Sequence, residues 1–185
     1  ASARPGVASQ SVASASMGGA GASDARARPW PFSVVRASDA DAFVDALGGD
    51  ATRVLTRAED VKKYSVDWMG KYVGASAVVV LPRTTEEVSK VMRHCHARRI
   101  AVVPQGGNTG LVGGGTPTRD EVVVSLERMR DIVSIDEDAG CAVCEAGVVL
   151  EELESAVRAR GMTVPLDLGA KGKCQMGGCV STNAG

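Results

Sequence analysis

Aromatic residues are nearly missing from this chain: two Trp, two Tyr and two Phe among 185 residues, or 3%. So few ring faces argue against a stacking platform for single-stranded nucleic acid. An excess of charge of either sign is missing as well. Lys and Arg number 21 against 22 Asp and Glu, and the pI is about 6.2, so no basic field points to nucleic acid. No apolar run approaches the roughly 20 residues of a transmembrane helix. The five cysteines are odd in number and no secretory signal precedes them, so a disulfide framework is not expected. Cys141 and Cys144 have zinc-like spacing, with Cys174 and Cys179 as a second pair. However, Cys141-Ala142-Val143-Cys144 reads as a strand, where residues three apart point to opposite faces, so a zinc centre is not expected either. His94 and His96 are two apart on a helical stretch, diverge, and read as surface residues.

What the chain does have is glycine, concentrated in two places. The first runs Pro104-Gln105-Gly106-Gly107-Asn108-Thr109-Gly110-Leu111-Val112-Gly113-Gly114-Gly115-Thr116-Pro117, with six glycines in fourteen residues between two apolar runs. Glycine loses much conformational entropy on folding, so the cluster serves either bared backbone N–H groups that hold a phosphate or a long flexible turn. The common phosphate motifs fail here. Walker A would need Gly at 167, which is Asp167, and Ser or Thr at 174, which is Cys174. In the Gly-x-Gly-x-x-Gly fingerprint Gln105 occupies the first glycine position before Gly107 and Gly110. No Gly-x-Ser-x-Gly elbow occurs.

The chain is long enough for one substantial core or two small ones. Residues 1–36 are rich in Ala, Ser and Gly, with Arg4, Arg26, Arg28 and Arg36 as cations and Asp24 as the single acid. They read as an organellar transit peptide, or as a plain disordered terminus. Residues 37–76 form a lead-in. It holds a short helix from Ser38 to Leu47 ended by Gly48-Gly49, a short strand at Val54, a helical piece from Ala58 to Tyr64, and Trp68, Met69 and Tyr72 as core filler. Ala77 to Leu81 is a β-branched run expected as a strand buried on both faces. Thr84 and Glu87 make a capping box for a helix reaching about Arg99, with Val88, Val91, Met92 and Cys95 buried and Lys90, Arg93, Arg98 and Arg99 solvated. Ile100 to Val103 completes a βαβ unit, which puts the glycine loop at the carboxyl end of a parallel strand, where open α/β sheets place ligands. Beyond the loop come a strand at Val122 to Leu126 and a hairpin of Asp131 to Asp136 with Cys141 to Ala146, so this part reads as antiparallel. A helix from Leu150 to Arg160, facing the core through Leu150, Leu153, Ala156 and Val157, stops at Gly161. The second glycine-rich stretch, Pro165 to Gly185, ends in mid-pattern and reads as truncated.

The glycine loop resembles the FAD-binding half of the vanillyl-alcohol-oxidase-type flavoproteins, the PCMH fold. Pro82-Arg83-Thr84-Thr85-Glu86-Glu87-Val88, Arg93-His94-Cys95-His96, Pro165-Leu166-Asp167-Leu168-Gly169-Ala170-Lys171-Gly172, Gly177-Gly178 and Thr182-Asn183-Ala184-Gly185 carry the same likeness. Within that family the chain is similar to the dehydrogenases of D-2-hydroxy acids, D-2-hydroxyglutarate before D-lactate. The resemblance implies an α+β fold, with a parallel βαβ subdomain, then a mostly antiparallel one, and FAD between them. Residues 77–185 would form this domain, incomplete at its C-terminus. The residues implied in cofactor binding are Pro104, Gln105, Gly106, Gly107, Asn108, Thr109, Gly110, Leu111 and Val112 in the first stretch. In the second they are Pro165, Asp167, Leu168, Gly169, Ala170, Gly177, Gly178, Thr182, Asn183, Ala184 and Gly185.

The pyrophosphate would lie on Gly106, Gly107 and Gly110, with Asn108 and Thr109 as side-chain donors. No His stands in the loop, so non-covalent FAD is expected. Cys179 departs from the polar residue expected after Gly178, and Lys171 and Lys173 lie either near the flavin or on the surface. In the family a hydride leaves the substrate Cα for the flavin while a base takes the hydroxyl proton, and an acceptor such as electron-transfer flavoprotein receives the electrons. The base, the carboxylate clamp and the ligands of a divalent metal such as zinc belong to a C-terminal half, so no catalytic residue is expected in this chain. The alternative is a non-catalytic nucleotide-binding fragment. The expected setting is the mitochondrial matrix.

Overall fold

The β-branched run at 77–81 lies at the centre of the fold in the computed structural model, which describes residues 31–185. The expectations for residues 1–30 lie outside the described residues. Ahead of the run, helix α1 (Ala37–Ala46) carries Arg36 at its N-cap and Asp39 in a capping box. Gly48 and Gly49 end it at φ 72° and 84°. Strand β1 (Val54–Leu55) follows a 3-10 turn, and helix α2 (Ala58–Val61) runs into a second one ending at Tyr64. Strand β2 (Val79–Val80) leads to helix α3 (Thr85–Arg98) and then to β3 (Val102–Gln105). After the glycine loop come β4 (Val122–Ser125), β5 (Ile132–Asp136), β6 (Cys141–Cys144), α4 (Leu150–Arg158) and α5 (Met176–Ser181).

The first sheet has the order β1-β2-β4-β3. The βαβ expectation holds in direction: β2 and β3 both run parallel to β4. They are not neighbours, because β4 inserts between them and pairs Val123 with Val79 and with Val103. This corrects the antiparallel reading for Val122 to Leu126, whose four β4 residues are all buried. Central parallel strands are covered on both faces, so alternate residues feed two cores. Val78, Val80, Val122 and Val124 pack with Phe43, Leu47, Val91, Cys95 and Ile100 on the α1/α3 side. Val79, Leu81 and Val123 pack with Val61 and Tyr64 on the other. Each fully buried Val contributes about 1.5–3 kcal/mol by transfer from water. The antiparallel expectation is met by β5 and β6, with a bulge between Ile132 and Ser134. Helix α4 covers that hairpin through Leu153 and Val157.

Helix α3 turns further than its apolar pattern indicates. Val91 and Cys95 are buried, but Met92 is exposed. Beside the buried stripe, the half-buried His94 and Arg98 bind the buried carboxylate of Asp39 at 2.9 Å each. Arg98 is therefore half-buried rather than wholly on the solvated face assigned to it. Burial alone would raise the Asp39 pKa. Hydrogen bonds from Arg98, the Arg36 N–H and His94, together with the Arg98 charge, outweigh it and hold the group at about 2. At the start of α3, Thr84 Oγ1 accepts from the Glu87 N–H at 3.2 Å, and the Glu87 carboxylate reaches back to the Arg83 N–H at 2.7 Å while it also binds the buried Arg53 guanidinium at 2.6 and 2.9 Å.

Candidate nucleotide-binding site

The glycine loop leaves the carboxyl end of β3, as the strand order predicts. Gln105, the last residue of β3, is 2% exposed. Its side-chain amide donates to the carbonyls of Tyr64 at 2.8 Å and Gly115 at 2.6 Å. One buried side chain thus ties the far end of the loop back to its start. Asn108 turns the chain at φ 52° and donates from Nδ2 to the Val66 carbonyl at 2.7 Å. One of its two amide N–H donors is therefore occupied by the fold.

Val66 belongs to a small hairpin that flanks the loop. Val66 bridges Val73, and Asp67 accepts from the Tyr72 N–H at 2.8 Å and the Met69 N–H at 3.2 Å. The core-filler reading of this hairpin is corrected: Trp68 is 66% exposed, and Met69 and Tyr72 are exposed too. Asp67 holds the hairpin together from inside, and the hairpin meets the loop through the Val66 carbonyl and the Tyr72 ring. Gly113, at φ 76°, accepts the Tyr72 ring, and a Cβ there would come within 2.7 Å of it.

The second glycine-rich stretch returns to the first. A Cβ on Gly107 would overlap the Lys173 carbonyl, and one on Gly106 would lie 3.3 Å from Gln175 Oε1. Gly106 and Gln175 are far apart in sequence and in contact in space. The second stretch, for which the sequence suggests no helix, contains α5, with Gln175 at its N-cap. The Gly177 N–H donates to the Ala146 carbonyl and the Met176 N–H to the Val148 carbonyl, docking α5 on the turn after β6. A Cβ on Gly177 would press to 2.7 Å on that of Ala146. Gly110, Gly169 and Gly178 differ: nothing lies within 4 Å of a Cβ built on any of them.

Three buried polar atoms lack a partner among the described residues: Thr116 Oγ1, Ser125 Oγ and Gln175 Oε1. Ser125 pairs with Gln105 in the β3/β4 register, Thr116 follows Gly115, and Gln175 abuts Gly106. Each thus belongs to a residue of the glycine loop or beside it. None was among the residues assigned to cofactor binding from the sequence. A polar residue beside a glycine in the second stretch was the available signal for Gln175, whereas Thr116 and Ser125 depend on register and loop path.

The lysines have other partners. Lys171 pairs with Asp167 at 3.1 Å, which raises its pKa, and Lys173 lies 4.9 Å over the Trp68 ring. Asp167 is exposed, as are Pro165, Leu111 and Val112, whereas Leu168 and Ala170 pack against the core around Leu150. Thr182 and Ser181 turn their hydroxyls back onto the Gly178 and Gly177 carbonyls at 2.9 and 2.7 Å. Asn183 takes φ 51°, and the Ala184 N–H closes the helix onto Cys179. Cys141 to Cys144 is a strand as expected, and no cluster of three potential metal ligands occurs among the described residues. Among the described residues no helix is long and apolar enough to cross a membrane.

The family model described as "FAD binding domain" matches residues 76–185. Mitochondrial D-2-hydroxyglutarate dehydrogenase of Arabidopsis thaliana is 49% identical over 154 residues, covering 83% of this chain and 27% of its own length. The Bos taurus protein of the same name is 48% identical over 155 residues, covering 84% and 28%. D-2-hydroxyglutarate–pyruvate transhydrogenase of Saccharomyces cerevisiae is 40% identical, covering 83% and 31%. Among solved structures, alkyldihydroxyacetonephosphate synthase superposes with TM-score 0.66 at 22% identity over 76% of this chain and 31% of that one. The 4-ethylphenol oxidase of Gulosibacter chungangensis gives 0.58 at 27% identity, over 72% and 27%. The expected PCMH-type fold is thus borne out. The chain spans less than a third of the length of these relatives.

Proposed function

The chain belongs to the FAD-binding-domain family, and from that premise we propose that it is the cofactor-binding portion of a flavin-dependent D-2-hydroxy-acid dehydrogenase. D-2-hydroxyglutarate is the favoured substrate, with D-lactate second; relatives near 50% identity bear the first name. The observation that carries the proposal is the meeting of two glycine-rich stretches over three unpartnered buried polar atoms. A buried hydroxyl or amide without a partner costs about 1–3 kcal/mol, so the base of the loop is built to receive a polar group. Backbone N–H groups around Gly106 and Gly110 suit an anion, and the open side of Gly110 leaves room for a pyrophosphate to approach.

In this reading Pro104 to Val112 hold the pyrophosphate. Pro165 to Ala170, Gly177, Gly178 and Thr182 to Gly185 run along the flavin and ribityl part. Gln105 and Asn108 act as positioning residues, since their amides hold the loop in shape. Gln175, Ser125 and Thr116 join the binding set. Bound there, FAD supplies a two-electron acceptor for the substrate Cα hydrogen. Residues 77–185 form the cofactor domain, 37–76 pack on it as a lead-in, and 1–36 address the protein to the mitochondrial matrix. Electron-transfer flavoprotein is the proposed acceptor. A 2-oxo acid is the second choice, after the name of the yeast relative. The base and metal ligands are assigned to a C-terminal half, and the 185 residues alone have little or no dehydrogenase activity.

The test is direct. Purified chain mixed with FAD should retain flavin absorbance near about 450 nm after gel filtration, and acid precipitation should leave the flavin in the supernatant. Flavin in the acid pellet would refute non-covalent binding. No retained flavin, from this chain or from a longer reading frame, would refute the site. Turnover of D-2-hydroxyglutarate by the 185 residues would refute the division of labour.

A further inference from the structure

Cys174 and Cys179 flank the start of α5. With Gln175 at the N-cap, Cys174 stands just before the cap and Cys179 is the fourth helical residue. Side chains at these two positions meet across the first turn of a helix, usually as an apolar clasp. Here both are thiols. Cys174 is 5% and Cys179 6% exposed, and they share one core with Leu150. The turn is fixed by the Cys179 N–H donating to the Gln175 carbonyl at 3.0 Å. Burial, and then the neighbouring Cys179 thiol, push the Cys174 thiol up to about 11. The other cysteines lack this arrangement. Cys95 is buried beneath α3, and Cys141 and Cys144 lie three apart on β6.

We propose that Cys174 and Cys179 are a dithiol site that a small peroxide oxidises to an intramolecular disulfide. One cysteine loses its proton, its thiolate gives an electron pair to the peroxide oxygen, and the departing hydroxide takes up the proton as one water, leaving a sulfenic acid. The second thiol attacks that sulfur, the S–S bond forms, and a second water leaves. Side chains that meet across the first turn of a helix can reach the close approach that a disulfide requires. The site also touches the glycine loop. The Cys174 N–H donates to the Ala170 carbonyl at 2.8 Å, and its carbonyl accepts from the Leu150 N–H at 3.0 Å. Its Cα lies 3.2 Å from where a Cβ on Gly107 would stand. A cross-link that draws Cys174 toward α5 therefore moves the surface against which Gly107 packs. This second step rests on the FAD reading above; the disulfide does not.

The whole chain is treated with hydrogen peroxide, its free thiols are blocked with N-ethylmaleimide in denaturant, and it is cut with trypsin. Cleavage after Lys173 leaves both cysteines in peptide 174–185, which holds no further Lys or Arg. That peptide should appear unlabelled and about two mass units light, and reduction should restore two labelling sites. Peptide 174–185 with both thiols still labelled while Cys141 is oxidised overturns the proposal. So does separate oxidation of the two sulfurs without a bond. Cys174→Ser and Cys179→Ser chains should each give no light peptide, and a light peptide from either overturns the pairing. FAD affinity should fall at least threefold in the disulfide form and recover on reduction. Unchanged affinity overturns the coupling to the loop. A disulfide in a chain that binds no FAD in either state overturns the reading of the site and leaves the dithiol standing.

Discussion

The two glycine-rich stretches have similar composition and use it differently. In the first, a buried amide from Gln105 and a left-handed Asn108 shape a loop with little core of its own. In the second, Leu168, Ala170, Cys174 and Cys179 pack into a core around Leu150, and two of the five glycines, Gly177 and Gly178, lie on a short helix. The first is held by hydrogen bonds and the second by burial. Where they touch, glycine is demanded by packing; where they face outward, it is not. Composition alone cannot separate these roles, but substitutions can.

The largest effect is expected at the contact itself. Gly107→Val drives a branched side chain into the Lys173 carbonyl, a backbone group with no freedom to yield. Forced overpacking of this kind costs about 3 kcal/mol, and here it also separates the two stretches. The urea midpoint should fall and flavin retention should vanish. A Gly107→Val chain of unchanged midpoint would mean that the stretches are not in contact.

Gln105→Leu tests the hydrogen-bonded side of the comparison. It leaves the Tyr64 and Gly115 carbonyls without their donor inside the protein, at a cost of about 2 kcal/mol. Proteolysis should open the loop first, between Gly110 and Gly115, while the 165–185 stretch stays protected. Simultaneous cleavage of both stretches would show that they are one cooperative unit.

Gln175→Leu should separate stability from binding. Its Oε1 is buried without a partner, so replacing the amide by an alkyl group of similar size leaves stability unchanged or raises it by up to about 1 kcal/mol. If that oxygen and its amide serve the cofactor, FAD affinity drops about tenfold, near 1.4 kcal/mol. A loss of stability with no change in affinity would place Gln175 among the packing residues instead.

Much of this was legible in the sequence, and the limits have physical causes. The strand at 77–81, the helix from Thr85, the hairpin and α4 follow from periodicity and caps, which are local signals. That β4 inserts between β2 and β3 is a matter of sheet order, which no local pattern encodes. Arg98 reads as a surface charge, and Asp39 and Arg53 draw no reading at all, because their partners are distant in sequence; Arg53 and Glu87 are 34 residues apart. Trp68 and Tyr72 read as core because they are apolar, yet their hairpin is shaped by Asp67 and tied to the loop by the Asn108 amide on the Val66 carbonyl. In the site, the family resemblance carried both stretches, but not Thr116, Ser125 or Gln175. Those three stand out only as buried atoms without partners, a property of the folded chain.

Gly110→Ala is the smallest change and separates the glycine roles most cleanly. Nothing stands within 4 Å of a Cβ at this position, and its φ is not in the left-handed region. The folded chain therefore accepts the methyl group, and the unfolded chain loses freedom, so stability should rise by about 0.5 kcal/mol. If the open side of Gly110 is where a pyrophosphate meets the backbone, the same methyl group stands between the phosphate oxygens and the N–H groups. FAD titrated into the chain should then bind about tenfold more weakly in a protein that is slightly more stable. Gly114→Ala is the control, since its surroundings are equally open and it lies outside the residues assigned to the cofactor. Weakened binding in both variants would point to general stiffening of the loop, and weakened binding in Gly110→Ala alone would locate the phosphate at that residue.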